Sequence, residues 1–152
     1  MLAMNVKSRQ RGMALIEVMI AVIVLAIGVL GAVGLQARSL SALSNAGARV
    51  DATIAAERAI GLMWTDQANL ASYAWDSTGG GAAPAVLANW FANTQAMLPN
   101  ANAVITVTPI AGSSASQISV TITWQRRTGV TGDKNADQLN THTIVATVAP
   151  TT

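Results

Sequence analysis

Glu17 stands out chemically because it is the one charged side chain in a long apolar run. The run covers residues 13–35 and reads MALIEVMIAVIVLAIGVLGAVGL. A charge near the centre of a bilayer costs roughly 2.5–3.5 kcal/mol on insertion scales. A carboxylate in this setting needs a partner of opposite charge or a path to water, so Glu17 is a candidate functional residue.

The apolar run is long enough to cross a membrane. Its roughly 23 residues would span about 34 Å as a helix, against a hydrocarbon core of about 30 Å. A secretory signal that is removed has a shorter apolar region, about 7–15 residues, followed by a small-residue cleavage site. The plain interpretation is therefore a single membrane helix, and an uncleaved signal anchor is one form of it.

Basic residues are concentrated just before this run. The chain has nine Lys and Arg against seven Asp and Glu, for a formal net charge of +2. Lys7, Arg9 and Arg11 precede the run, which leaves six basic residues against seven acidic ones elsewhere. The positive-inside rule then places the N-terminus in the cytoplasm and the rest of the chain across the membrane. We predict no nucleic-acid partner.

The composition offers little for catalysis. The chain has no cysteine and one histidine, His142, which we expect to be an exposed residue at a strand end. A disulfide framework and thiolate metal sites are excluded. With no recognisable pair of nucleophile and base and no phosphate-binding loop, we predict neither an enzyme nor a cofactor.

One segment has alternating oxygen ligands of the kind that calcium loops carry. These are Asp133, Asn135 and Asp137. A calcium loop needs glycine at its sixth position and glutamate at its twelfth, but this chain has Gln138 and Ile144 there. A polar turn between strands explains the segment without a metal.

A second helical stretch follows the apolar run. Residues 36–66 are rich in alanine and contain no proline, and several of their apolar residues fall on one face of a helical wheel. This face consists of Val50, Ile54, Ile60, Gly61 and Trp64, with Glu57 among them. We expect one helix over residues 13–70, apolar all round over 13–36 and amphipathic over 37–70.

Helix-breaking residues mark the end of this stretch. Three consecutive glycines at 79–81 and Pro84 predict a loop, and Pro84 is suited to open a short helix over 84–98. The buried side of that helix would carry Val86, Leu87, Trp90, Phe91, Met97 and Leu98.

Residues after 100 alternate between apolar and polar side chains. The alternation predicts three antiparallel strands, at 104–110, 118–124 and 143–148, with Trp124 facing the core and a turn at Gly112. So small a sheet is not stable alone, but it can pack on the amphipathic half of the long helix. The predicted fold class is α+β, with residues 71–152 forming the extracytoplasmic loop, short helix and sheet.

The N-terminal pattern resembles that of type IV prepilins and of type II secretion pseudopilins. It consists of a short basic leader, Gly12, then MALIEV with Glu17, then the apolar run. The segment ALIEVMIAVIVLAIGVLGAVGLQ is most similar to the PilV-type minor pilins, also called pilus modification proteins. The strict resemblance covers residues 7–36, and the pilin-like layout of long helix and antiparallel sheet extends it over the chain.

The resemblance implies a role for each residue of the pattern. A prepilin peptidase would remove residues 1–12 by cutting between Gly12 and Met13, and the new terminus at Met13 would be N-methylated. Glu17 would then meet the Met13 amine of a neighbouring subunit as it docks into the filament. Gly28, Gly31 and Gly34 would let the helix loosen there, or would serve as packing glycines.

The chain departs from the family pattern in three respects. Most relatives have phenylalanine where this chain has Met13, which is apolar and of similar bulk. Many major pilins have a C-terminal disulfide loop and a proline partway along the first helix, and this chain has neither. Both absences favour a minor pilin over a major subunit.

The resulting hypothesis is a minor pilin that sits in the inner membrane and then enters an extracellular type IV pilus with other minor pilins and the major pilin. It would act at or near the tip, in pilus assembly, adhesion or twitching motility. A type II secretion pseudopilin is an alternative, because it shares the N-terminal pattern. An uncleaved, membrane-anchored domain that binds a ligand is another.

Overall fold

A computed structural model describes residues 10–126 and 138–149. The chain divides into two compact units, the first ending at Leu40 and the second beginning at Ser41. Helix α1 extends over Gln10–Thr65. The absence of proline and the supply of alanine, leucine and methionine along this stretch favour so long a helix. The predicted long N-terminal helix is confirmed.

The second unit contains one short α-helix and a four-stranded antiparallel sheet. Helix α2 covers Ala85–Met97, and Pro84 precedes it as predicted. The strands lie in the order β1-β2-β3-β4. Their bounds are Trp75–Asp76 for β1, Asn102–Pro109 for β2, Ser116–Gln125 for β3 and Leu139–Val148 for β4. The α+β fold class, with the helix packed on the sheet, is confirmed.

Strand β1 is a correction to the predicted three-stranded sheet. Trp75 and Asp76 pair with Ile105 and Val104 of β2, although the sequence around them predicts a loop. Two residues are too few for an alternating pattern to be visible, so this pairing rests on a contact between segments far apart in the chain. Residues near Asp76 also pair with β2, since the Ser77 hydroxyl accepts the Ala103 amide hydrogen at 2.8 Å.

The hairpin between β2 and β3 forms as predicted. Gly112 has a φ of 76°, which L residues with a side chain rarely adopt, so the turn requires glycine there. Ile110 and Ala115 close the turn, with the Ile110 amide donating to the Ala115 carbonyl at 3.0 Å. In β3 the alternation holds throughout, and Trp124 is fully buried.

The face of α1 that packs on the sheet is lined with alanine, which corrects the predicted amphipathic face. The buried residues of the helix are Ala48, Ala52, Ala55, Ala56, Ala59, Ile60 and Met63. Of the predicted face, Ile60 alone is buried, whereas Val50, Ile54 and Trp64 remain exposed. The small alanine side chains share one buried cluster with larger residues of β3 and α2, which supply most of the volume of the core.

Helix α1 ends at Thr65 rather than near residue 70. Asp66 leaves the helical region with φ −131° and ψ 51°, and a 3₁₀ helix follows over Gln67–Tyr73. The Asp66 carboxylate accepts hydrogen bonds from the Asn69 amide at 2.7 Å and from the Tyr73 hydroxyl at 3.2 Å. Burial, reinforced by this neighbouring carboxylate, raises the pKa of Tyr73.

Two further side chains differ from prediction. Val86 was expected on the buried side of α2, but it is 42% exposed, and the buried polar residue Thr94 takes part in that side instead. His142 lies within β4 rather than at its exposed end, and its Nε2 is 3.2 Å from the Thr53 hydroxyl of α1. The strand begins four residues earlier than the alternation predicts, which places His142 on the half-buried face.

Leucine in place of Ala52 tests the close packing of α1. Ala52 is fully buried, so Ala52→Leu overpacks the contact with the sheet, and we expect a loss of about 1–3 kcal/mol in the free energy of unfolding. Ala46→Leu is the matched control, because Ala46 is exposed on the same helix and should change stability by less than about 0.5 kcal/mol. Denaturant titration of the full chain in lipid nanodiscs would measure both, and equal midpoints would contradict close packing.

Candidate functional site

Within residues 10–126 and 138–149, the apolar side chains of the first unit have no apolar partner. Every side chain from residue 13 to residue 40 is exposed, including large apolar ones such as Leu15, Leu25 and Leu30. Among the described residues, one helix is long and apolar enough to cross a membrane, and it includes this segment. An apolar surface of this size indicates a segment that lipid or another protein covers.

Glu17 lies on this surface without a partner. It is exposed, and within the described part of the chain it makes no hydrogen bond or ion pair. Met13 lies one helical turn before it, and residues four apart on a helix are neighbours on one face, with about 5–6 Å between their Cβ atoms. The carboxylate is therefore held next to the position where the chain would begin after cleavage at Gly12.

The three glycines of the apolar segment have no packing reason within the chain. A Cβ atom added at Gly28, Gly31 or Gly34 would meet no heavy atom within 4 Å. Each glycine nevertheless costs roughly 0.5–1 kcal/mol of helix stability relative to alanine. No contact among the described residues explains them, which leaves contacts with other helices or the freedom of the helix to deform as their use.

The tryptophans divide between core and surface. Trp124 and Trp90 are buried, Trp75 is half-buried against Phe91 with ring centroids 4.7 Å apart, and Trp64 is exposed. The predicted core role is confirmed for Trp124 and Trp90. The four rings form no common surface that would suit an aromatic-binding site.

The candidate calcium residues Asp133, Asn135 and Asp137 lie outside the described residues. Within the described ranges, no group of three or more His, Cys, Asp or Glu side chains could hold a metal ion. Asp76 is an acidic side chain with a local structural role, because its carboxylate accepts hydrogen bonds from the Thr78 hydroxyl and amide. These bonds lower the pKa of Asp76 and stabilise a turn.

A groove between α1 and α2 is the feature that sequence patterns did not reveal. It encloses about 480 Å³ and is lined by residues of both helices, including Arg58, Gly61, Leu62 and Trp90. Trp90 joins its two walls, because the indole Nε1 donates a hydrogen bond to the Ala55 carbonyl oxygen at 2.7 Å. The hydrophobic periodicity of the sequence does not predict such a groove, because the groove depends on how the two helices pack together.

Two arginines in the middle of the apolar segment should prevent its insertion. Val24→Arg with Ile27→Arg raises the free energy of insertion by about 5–7 kcal/mol. This offsets most of the summed gain from the apolar residues of the segment, each of which contributes about 0.3–0.6 kcal/mol. Leu40→Arg with Leu43→Arg is a control with the same spacing, and we expect it to insert normally. Protease protection after translation with inner-membrane vesicles measures insertion, and insertion of both variants at equal levels would contradict a membrane helix at 13–35.

Comparison with protein families finds a match to the N-terminal part of the chain. The model for the prokaryotic N-terminal methylation motif matches residues 7–33. No curated protein and no solved structure matches the chain. The motif supports a type IV pilin-like protein of a pilus or a pseudopilus, and such proteins are structural rather than enzymatic. It implies processing by a prepilin peptidase and assembly with other pilins, and it fits anchoring in the inner membrane beforehand.

Proposed function

We propose that this chain is a minor pilin of the PilV type, incorporated into a type IV pilus at or near its tip. There it would help to initiate assembly or modify the adhesive properties of the fibre. The observation that carries the proposal is Glu17, an exposed and unpartnered carboxylate in the apolar part of α1. The apolar run that contains it directly follows Gly12 and the basic leader. Each of these features has a use in pilus assembly.

Cleavage after Gly12 supplies the partner that Glu17 lacks. The cut creates an α-amine at Met13, and both an α-amine and a carboxylate are charged in neutral water. In apolar surroundings each charge needs an opposite one close by. The Glu17 carboxylate of one subunit would pair with the Met13 amine of its neighbour, which aligns an incoming subunit as it leaves the membrane.

The apolar surface of α1 would serve two environments in turn. Before assembly, lipid covers the side chains of residues 13–40, and afterwards the same helices of other subunits cover them. Both environments are apolar, so the transfer involves little change in hydrophobic free energy, and packing and charge pairing decide it. The three glycines of this segment support the proposal, because they lower the stability of the helix and no packing contact among the described residues requires them. They are Gly28, Gly31 and Gly34.

The type II secretion pseudopilin is the nearest alternative. Its subunits share the leader, the cleavage site and the carboxylate, so these three features favour neither system. The absence of cysteine and of a proline in α1 distinguishes the chain from major pilins, not from pseudopilins. The neighbouring genes would discriminate, since a minor-pilin cluster favours the pilus and a secretion operon favours the pseudopilus.

The mature N-terminus tests the processing step. We expect mass spectrometry of the membrane-bound protein to find a chain that begins with N-methylated Met13. In cells that lack the prepilin peptidase, the same measurement should find residues 1–12 still attached. An intact leader in cells with an active peptidase would contradict the proposal and favour an uncleaved anchored domain.

Removal of the carboxylate tests the docking step. Glu17→Ala should remain in the membrane and still be cut after Gly12, but its amount in sheared pili should fall roughly tenfold or more, because the neighbouring amine loses its partner in apolar surroundings. Glu57→Ala is a matched control, because Glu57 is an exposed residue of the same helix. Equal amounts of Glu17→Ala and wild type in the pili would rule out docking through this residue.

A further inference from the structure

The groove between α1 and α2 has rigid walls. Besides the bond from Trp90 to the Ala55 carbonyl, the Thr94 hydroxyl donates to the Trp90 carbonyl oxygen at 2.9 Å. Trp90 is 6% exposed and Thr94 is 1% exposed, so both bonds are protected from water. The cavity of about 480 Å³ lies within the range of roughly 300–1,000 Å³ that is typical of ligand pockets.

The mouth of the groove is apolar and open. Leu62 and Val86 line it from opposite helices, and they are 38% and 42% exposed. Met97, which packs partly on the core, contributes to the lining from the end of α2. An apolar side chain from another molecule would remove these surfaces from water, which is favourable in proportion to the area covered.

A single unpartnered cation lies in this apolar lining. Arg58 is exposed and makes no hydrogen bond or ion pair within the described residues. Its helical neighbours three and four residues away are Ile54, Ala55, Gly61 and Leu62, none of which is acidic. Among the described residues no acidic side chain lines the groove, and its other polar side chains are neutral ones such as Asn89 and Asn93. A guanidinium in this setting is suited to bind a carboxylate through two parallel hydrogen bonds.

Gly61 keeps the groove accessible. A Cβ atom at this position would meet no heavy atom within 4 Å, so no packing contact in the described residues requires glycine here. Glycine in the middle of a helix is less stable than alanine, so its presence here has no benefit for the helix itself. Its missing side chain leaves space beside Arg58 that a partner could occupy.

We propose that the groove is a docking site for a neighbouring subunit, which inserts an apolar side chain flanked by a carboxylate. The apolar group enters between Leu62, Val86 and Trp90, and the carboxylate pairs with Arg58. This inference rests on the proposed function for the identity of the partner, a second pilin-like subunit of the fibre. The chemistry of the site itself rests on the groove alone.

A titration with small probes tests that chemistry directly. The full chain in lipid nanodiscs would be labelled with ¹⁵N at its tryptophan indoles, with the Trp90 signal assigned through Trp90→Phe. The probes are 4-phenylbutyrate and its neutral amide, and empty nanodiscs correct for binding to lipid. We expect the carboxylate to shift the Trp90 signal and to bind at least about fivefold more tightly than the amide, because Arg58 pairs with the charge.

Two substitutions separate the apolar and the charged parts of the site. Gly61→Leu should abolish the binding of both probes, whereas Arg58→Gln should abolish the preference for the carboxylate. Gly47→Leu is the matched control, because Gly47 is exposed on the same helix, outside the groove, with no heavy atom near its added Cβ. Equal binding of the two probes by the wild-type chain, or unchanged binding by Gly61→Leu, would overturn the proposal.

Recruitment to sheared pili tests the identity of the occupant. Gly61→Leu should be processed normally but fall at least about tenfold in the pili, while Gly47→Leu matches wild type. If Gly61→Leu is recruited normally, docking through the groove is overturned, even where the wild-type chain binds the carboxylate probe. An equal loss of recruitment for Gly47→Leu would also overturn it. Absence of the wild-type chain from pili would contradict the proposed function and the neighbouring-subunit partner together, and the probe titration would still decide whether the groove binds carboxylates.

Discussion

Close packing of the alanine face of α1 on the sheet is the contact on which the second unit depends. Ala52, Ala55 and Ala59 have no exposed surface, although alanine has little apolar area to bury. Their small side chains leave room in the shared core, which Trp124 and the inner residues of β3 occupy. Because a small sheet is not stable alone, the helix is part of the core and not an accessory to it.

The same helix has the opposite character before Leu40. There it carries large apolar side chains on all sides, and none of them is covered by the described chain. A helix that is apolar all round belongs in a membrane or in the interior of a larger assembly. In this setting Glu17 needs a partner of opposite charge or a path to water, and the motif matched over residues 7–33 is one in which leader cleavage creates an amine nearby.

The exposed side of α1 in the second unit shows how much an amphipathic pattern leaves open. Val50, Ile54 and Trp64 form the more hydrophobic face, yet they point away from the core. The groove beside this face, with Arg58 and Gly61, lies on the α2 side of the same helix. Apolar residues that a monomer leaves in water are candidates for contacts with other subunits, so a pilin-like protein has a reason to keep them there.

The local features of the chain could be predicted from sequence. The basic leader, Gly12, Glu17 and the apolar run are contiguous, and the strand alternation and the turn at Gly112 follow from side-chain period and backbone freedom. The tertiary structure decided which face of α1 is buried, the pairing of Trp75 with Ile105, the half-buried position of His142 and the groove beside Arg58. Each of these features depends on contacts between segments that are far apart in the chain. Local periodicity shows which residues are apolar, but it does not show which residues they will pack against.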